Sequence, residues 1–404
     1  MISVEEARRR IVGALSPLPA EQVGVVESLG RVLAADVVAR TTQPPADMSA
    51  MDGWAVRAAD VATVPARLRQ VGYVPAGRHH EGEIGPGEAV RVFTGAPLPA
   101  GADAVVIQED ADLDGDVVTV REGAPAGRYV RRAGLDFRAG EAGIRAGRLL
   151  TPRDVGLAAA MNVPWLRVRR RPRVAILPTG DEIVMPGDPI GPNQIVSSNA
   201  LALAAFVRAM GGEPIDLGIA RDDRESLRSL AAAATGSDLL VTTGGASVGE
   251  HDLIRSVLGE EGLTLDFWQI AMRPGKPLMF GRIRGVPMLG LPGNPVSALV
   301  CGVLFLRPAI AALLGLPDAG PAEERAALGA DLGVNDRRED YLRATLSQDA
   351  EGRVVATPFP VQDSSNLSRL ASADCLLIRP PHAPPAKAGE AVRIIRLTGG
   401  FGAL

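Results

Sequence analysis

Between residues 173 and 315, short apolar runs alternate with stretches whose apolar positions recur every three or four residues. RVAIL (173–177), EPIDLGIA (213–220), DLLVTTGG (238–245), LTLDFWQIAM (263–272) and PLMFGRIRGVPMLGL (277–291) read as strands. NALALAAFVRAM (199–210), DRESLRSLAAAA (223–234), DLIRSVLGEE (252–261) and NPVSALVCGVLFLRPAIAALLG (294–315) read as helices. Asn199, Asp222 or Asp223, and Asn294 stand where caps are needed. This alternation predicts a doubly wound α/β domain, a parallel sheet with helices on both faces. Ligands on such sheets lie beyond the carboxyl ends of the strands. PTGDE (178–182), TTGGASVGEHD (242–252), RPGKP (273–277) and LPGNP (291–295) all follow strand ends.

The flanking chain has other rhythms. Residues 3–15 pattern as a helix capped by Ser3, with Glu5 and Glu6 in the first turn, where the helix dipole favours acids. Gly30 marks a turn between β-like segments. In TTQPPADMSAMDGWA (41–55), two prolines and Asp52-Gly53 predict a surface turn presenting Ser49 and Asp52. Residues 57–140 are β-rich: RLRQVGYV, AVRVFTG, ADAVVIQ and DVVTVRE are separated by Gly/Pro turns. Arg128, Arg131, Arg132 and Asp136 form either a solvated basic face or a phosphate contact. His79 and His80 are adjacent, so a strand would send them to opposite faces, against a metal pair. Thr151 and Pro152 open a helix over 152–164. Beyond Pro317, RATLSQD, GRVVATPF, CLLIRP and AVRIIRL predict a small all-β domain.

Composition narrows the function classes. The 404 residues are 46% hydrophobic and 22% charged, as expected of a packed chain of several domains. A net charge of −4 gives no basic excess for nucleic acid or an anionic membrane surface. Cys301 and Cys375 lie far apart in apolar runs and read as buried thiols. MISVEEARRR lacks the apolar centre of a signal peptide. The apolar run Ala298 to Leu306 is under half of the ~20 residues that span a bilayer. A cytoplasmic protein is the resulting expectation. No GxxxxGK[ST] loop, G-x-S-x-G elbow or H-E-x-x-H helix occurs.

The turns carry the chemistry. In LPGNPVSA, Pro295 suits the first helical position, Asn294 the cap, and Gly293 a close approach of ligand to backbone. A helix start of this kind favours an anion. TTGGASVGEHD supplies backbone donors from Gly244 to Gly249 and then two acids, Glu250 and Asp252. Acids beside an anion site are repulsive unless a cation intervenes, which points to Mg²⁺. PTGDE repeats that logic with Asp181 and Glu182, and RPGKP adds the cations Arg273 and Lys276. The residues alone thus describe a site for an anionic, nucleotide- or pterin-like phosphate ligand with a divalent metal.

SAMDGWA (49–55), RVFTGAPLPAGADAVV (91–106), LPTGDEI (177–183), TTGGASVGEHD, RPGKP and GLPGNPVSA (290–298) together resemble the MoeA family of molybdopterin molybdotransferases, which includes the gephyrin E domain. The resemblance runs through essentially the whole chain. It implies a linking domain from 1–41 plus 141–168, a β-rich insert domain over 42–140, an α/β molybdopterin-binding domain over 169–317 and a barrel-like all-β domain over 318–404. The implied reaction inserts molybdate into adenylylated molybdopterin, with Mg²⁺-dependent release of AMP. The other readings are a molybdopterin adenylyltransferase and a non-catalytic scaffold of gephyrin type.

The resemblance also implies roles for residues. Asp52, Glu182, Asp252 and Lys276 would be catalytic, and Glu182, Glu250 and Asp252 would hold the metal. Thr94, Asp136, Thr179, Gly180, Asp181, Asn199, Asp222 and Asp238 would contact the substrate. So would Gly244, Gly245, Ser247 and Gly249, and the 292–295 turn of Pro292, Gly293, Asn294 and Pro295. Arg273, Lys276, Ser297, Arg343, Ser364 and Ser368 would bind molybdate. A homodimer is implied, with Asp52, Thr94 and Asp136 completing the partner's site. The chain departs from the family pattern at Arg273 (lysine is common), Leu135 (an acid), Trp54 (tyrosine) and Asp363 (glycine).

Overall fold

The computed structural model describes residues 1–75, 77–244, 253–316 and 320–397, with backbone alone for 253–256. Its central sheet has six strands: β1 (Arg173–Pro178), β2 (Glu213–Asp216), β3 (Leu239–Thr243), β4 (Thr264–Trp268), β5 (Met279–Ile283) and β6 (Val286–Leu291), in the order β2-β1-β3-β6-β5-β4. β2, β1, β3 and β6 run parallel. β5 alone runs against them: it pairs antiparallel with both β6 and β4, so β4 points the same way as the first four. The sheet is therefore mixed, not parallel throughout. The cause is local. Only Arg284 and Gly285 separate β5 from β6, both with positive φ. That is a hairpin turn, whereas a parallel connection needs a crossover of a dozen or more residues.

Alternation along the strands sends side chains to two cores. Val174, Ile176 and Val241 pack with Leu203 and Val207 of helix α1 (Asn199–Ala209), and with helix α4 (Pro295–Leu313). Ala175, Leu177 and Leu240 pack on the other face with Leu227 and Ala231 of helix α2 (Arg224–Ala233), and with Val257 and Leu258 of helix α3 (Leu253–Glu260). Asp223 caps α2, accepting from Ser226 N. α1 starts one residue earlier than its expected cap allows. Ser198 occupies the cap position, and Asn199 is already helical. α4 carries a π-helical stretch at Gly302–Leu306. Its 19 residues are long and apolar enough to cross a bilayer, more than the apolar run alone suggests, but 78% of its most apolar window is buried inside the protein.

The N-terminal helix Val4–Gly13, capped by Ser3 Oγ accepting from Glu6 N, adds Val4, Ala7 and Ile11 to the α1–α4 core. The insert forms a separate six-stranded sheet with Gly53–Val56 second from one edge, between Ala104–Ile107 and Glu88–Val92. That stretch reads as a turn from its Asp-Gly pair, yet a Cβ on Gly53 would lie 1.9 Å from Val106 O. The glycine serves close strand approach. At the C-terminal end, strands Glu323–Leu328, Glu339–Gln348, Val354–Pro358, Cys375–Arg379 and Ala391–Arg396 close into a barrel, because Glu339–Gln348 pairs with both Val354–Pro358 and Cys375–Arg379. Met272–Arg273, from the RPGKP segment, joins that barrel by parallel pairing to Glu339 and Asp340.

Candidate active site

Three parallel strands end in turns that touch each other. β1 runs into Thr179-Gly180, β3 into Gly244, and β6 into Pro292-Gly293-Asn294. Thr179 N donates to Thr243 O at 2.9 Å. A Cβ on Gly244, whose φ is +100°, would lie 2.3 Å from Thr179 O, and one on Gly293 would lie 3.4 Å from Gly244 Cα. The glycines are thus required by contact between backbones, not only by turn geometry. The Asn199 amide fastens the same turns from the start of α1, donating to Gly293 O at 2.6 Å and Thr243 Oγ1 at 3.1 Å. Thr243 Oγ1 in turn donates to Pro292 O at 3.2 Å. Asn199 therefore acts as a staple rather than a cap. Asn199→Ala is expected to cost about 1–3 kcal/mol of unfolding free energy, since it leaves two acceptors unpaired, and urea denaturation measures this.

These turns floor a cleft of about 660 Å³. Of the residues expected to bind or react, Thr179, Glu182, Asn199, Gly244, Pro292, Gly293, Asn294, Pro295 and Ser297 line it. One wall is apolar, from Ile183, Ile195 and Val196, where Ile183–Val184 pairs with Ile195–Val196. The barrel supplies Ser365 and Leu367, the RPGKP turn Pro277. Thr179 and Ser197 are 1% and 4% exposed, and neither hydroxyl has a hydrogen-bond partner among the described residues. Unpaired buried hydroxyls beside a cleft call for a partner from outside the chain, a water or a ligand group. Ser197 was legible only as one of two serines ahead of a helix.

Other expected residues fall elsewhere. Asp238 lies at the opposite end of the strands, just before β3, where it takes a bidentate ion pair from Arg170 (2.7 and 2.9 Å) and accepts from Arg173 N. It is a structural anchor, not a neighbour of the cleft. Asp181 is exposed and accepts from Asp222 N at 3.2 Å, and neither lines the cleft. Asp52 accepts from Thr94 N and Thr94 Oγ1 at 2.7 and 2.8 Å, and these bonds hold its carboxyl below the ordinary range. That pair flanks the insert sheet, outside the cleft; the exposed Asp136, whose N donates to Gln43 O, does not line the cleft either. Gly245, Ser247, Gly249, Glu250 and Asp252 lie outside the described residues. Among the described residues, no group of three or more His, Cys, Asp and Glu is placed to hold a metal ion.

The anion-binding parts also differ from the sequence reading. Pro295 has no N–H, and the next donor of α4, Val296 N, is taken by Ser364 O at 3.1 Å. The helix start thus has fewer open donors than LPGNP suggests. Ser364 Oγ accepts from Asn294 Nδ2 at 3.0 Å, so Ser364 ties the barrel to α4 while its neighbour Ser365 lines the cleft. Ser368 Oγ is turned to Asn366 Oδ1. Arg343 is 2% exposed, donates to Asp363 O, and its Nε has no partner; burial pulls its pKa down. Arg273 is ion-paired with Asp340 and Asp336 of the barrel. Lys276 is half-buried next to the lining residue Pro277 and makes no side-chain ion pair or hydrogen bond among the described residues.

Comparison with known proteins accounts for this layout along the whole chain. Residues 2–162 match the MoeA N-terminal region (domains I and II), 175–312 the probable molybdopterin-binding domain, and 325–397 the MoeA C-terminal region (domain IV). A molybdopterin molybdenumtransferase 2 of Mycobacterium tuberculosis is 37% identical over 98% of this chain and 100% of its own length. The molybdopterin molybdenumtransferase of Haemophilus influenzae is 33% identical over 98% of each chain. The crystal structure of a molybdopterin biosynthesis MoeA protein from Pyrococcus horikosii superposes with a TM-score of 0.86 at 33% identity, covering 99% of this chain and 100% of that one. With three adjoining family regions and full-length relatives, the chain belongs to the MoeA family.

Proposed function

We propose that this protein is a molybdopterin molybdenumtransferase that inserts molybdenum from molybdate into adenylylated molybdopterin and releases AMP. The observation that carries the reading is the cleft itself, which lies where ligands sit on a sheet of this type. It combines an apolar wall (Ile183, Ile195, Val196), buried unpaired hydroxyls (Thr179, Ser197) and a helix start with Ser297. The apolar wall suits a flat heterocycle, the hydroxyls its polar edge, and Ser297, in the first turn of α4 beyond the occupied Val296 N–H, an anionic group. Lys276, beside the cleft, would meet the negative charge of molybdate or phosphate. The names of the full-length relatives point to the same chemistry.

Magnesium belongs to this proposal in a limited form. Among the described residues, Glu182 is the carboxylate that lines the cleft, and a Mg²⁺ ion commonly takes one or two carboxylates with substrate phosphates. Glu182 would thus hold it together with the substrate's phosphates, and the ion would neutralise charge there. Asp52 and Thr94, preorganised on the insert and remote from this chain's cleft, would act in a second copy, making the enzyme a homodimer with shared sites. A cytoplasmic setting completes the reading. The test mixes the protein with adenylylated molybdopterin, molybdate and Mg²⁺ under reducing conditions. AMP release with formation of cofactor that activates an apo-molybdoenzyme is expected. ATP-dependent adenylylation of molybdopterin by this chain alone would instead assign it the preceding step, and absence of both reactions would favour a scaffold.

A further inference from the structure

The two cations of RPGKP have unequal surroundings. Arg273 has two carboxylates against its guanidinium: Asp340, in direct ion pair with Nη2, and Asp336, 3.5 Å from Nη1. Asn335 Oδ1 lies 3.5 Å from Nη2. Asp340 is 3% exposed, so its charge is held inside the barrel wall, facing the arginine. The backbone reinforces the link, with Met272 and Arg273 pairing in parallel with Glu339 and Asp340, and Glu339 N donating to Ala271 O at 2.9 Å. Three residues on, Lys276 has no such partner among the described residues.

We propose that Arg273 is a positioning residue that clamps the RPGKP turn to the barrel through Asp340 and Asp336, leaving Lys276 as the turn's cation for the oxyanion. This rests on the reading of the cleft as a molybdate site and replaces the expectation that Arg273 binds molybdate. The physical case has three parts. A guanidinium engaged by two carboxylates has little net charge to offer a third anion. The carboxylates would repel molybdate brought close to Arg273. The cleft is also built from both sides of this joint: Pro277 comes from the turn, and Ser365 and Leu367 come from the barrel. Gly275 fixes the turn's floor, because its φ is +112° and a Cβ there would lie 2.6 Å from Cys301 Sγ. An arginine suits the clamp, since its planar fork reaches two carboxylates at once, which an ammonium does less well.

The two roles make opposite predictions for Asp340. As a clamp partner, Asp340→Asn loosens the turn and lowers kcat/KM for molybdate by about tenfold, the scale of a small misplacement of a binding group. Arg273→Met does the same, and the double variant loses no more than either single one. If Arg273 were a molybdate ligand, Asp340→Asn would release it and lower the KM for molybdate, and the two losses would not merge. Either a lowered KM in Asp340→Asn or multiplying losses in the double variant overturns the proposal. Asp336 is more exposed, so Asp336→Asn carries the same sign test if the Asp340→Asn protein does not fold. Thermal unfolding of the same four proteins separates the two levels of inference. Additive shifts in unfolding temperature overturn the clamp even if the wild type is inactive. Non-additive shifts with an inactive wild type count against the molybdate reading alone.

Discussion

Gly244→Ala abolishes molybdenum insertion, by about a hundredfold or more, and lowers stability by about 1–3 kcal/mol. The added carbon would sit 2.3 Å from Thr179 O, and the residue holds a φ of +100°. Neither conflict can be relieved by a side-chain rotation, because the atom in the way is backbone. The turn must move, and with it the contact to Gly293, the hydrogen bond to Thr179 and the floor of the cleft. Turnover by the purified variant, read beside its urea unfolding curve, checks this. Near wild-type turnover would show that the three turns do not need their mutual contact.

Lys276→Met produces the second large effect, a fall in kcat/KM for molybdate on the order of 10²–10³ with little change in unfolding temperature. The stability part follows from the side chain's surroundings: no ion pair or side-chain hydrogen bond among the described residues is lost. The kinetic part follows from charge. An oxyanion in a partly enclosed cleft has few cations to choose from when Arg273 is committed to Asp340. Lys276→Arg keeps the charge in a different shape and is expected to fall between the two. Steady-state kinetics with varied molybdate check both variants.

Much of this architecture was legible in the chain because its signals are local. The helix periodicity of 199–210 and 223–234, and the β-branched runs ahead of Gly-rich turns, specify strand and helix without help from distant residues. Thr179, Gly244 and Gly293 could be placed together because strands of an α/β sheet end on one side. What was not legible depends on pairings between distant segments. Asp238 immediately precedes a strand, and Arg170, brought alongside by the fold, shows that it serves the end of the sheet away from the cleft. Met272 reads as the end of one strand over 263–272, but that strand stops at Trp268, and Met272–Arg273 pairs instead with Glu339–Asp340 of the barrel. Ser364 rather than a ligand takes the Val296 N–H because the barrel docks there, and the cleft receives Ser365 and Leu367 instead of Ser364 and Ser368. The β5–β6 hairpin was visible in principle, since Arg284-Gly285 leaves room only for a tight turn.

The most direct test of the central claim is where molybdenum binds. Crystals of the full chain grown with molybdate, with diffraction recorded above the molybdenum absorption edge, locate the metal without assumptions about turnover. An anomalous peak is expected in the cleft bounded by Ser297, Pro277 and Ser365, on the Lys276 side of the RPGKP turn. A peak seated on Arg273, or only at sites away from the cleft, would contradict that claim.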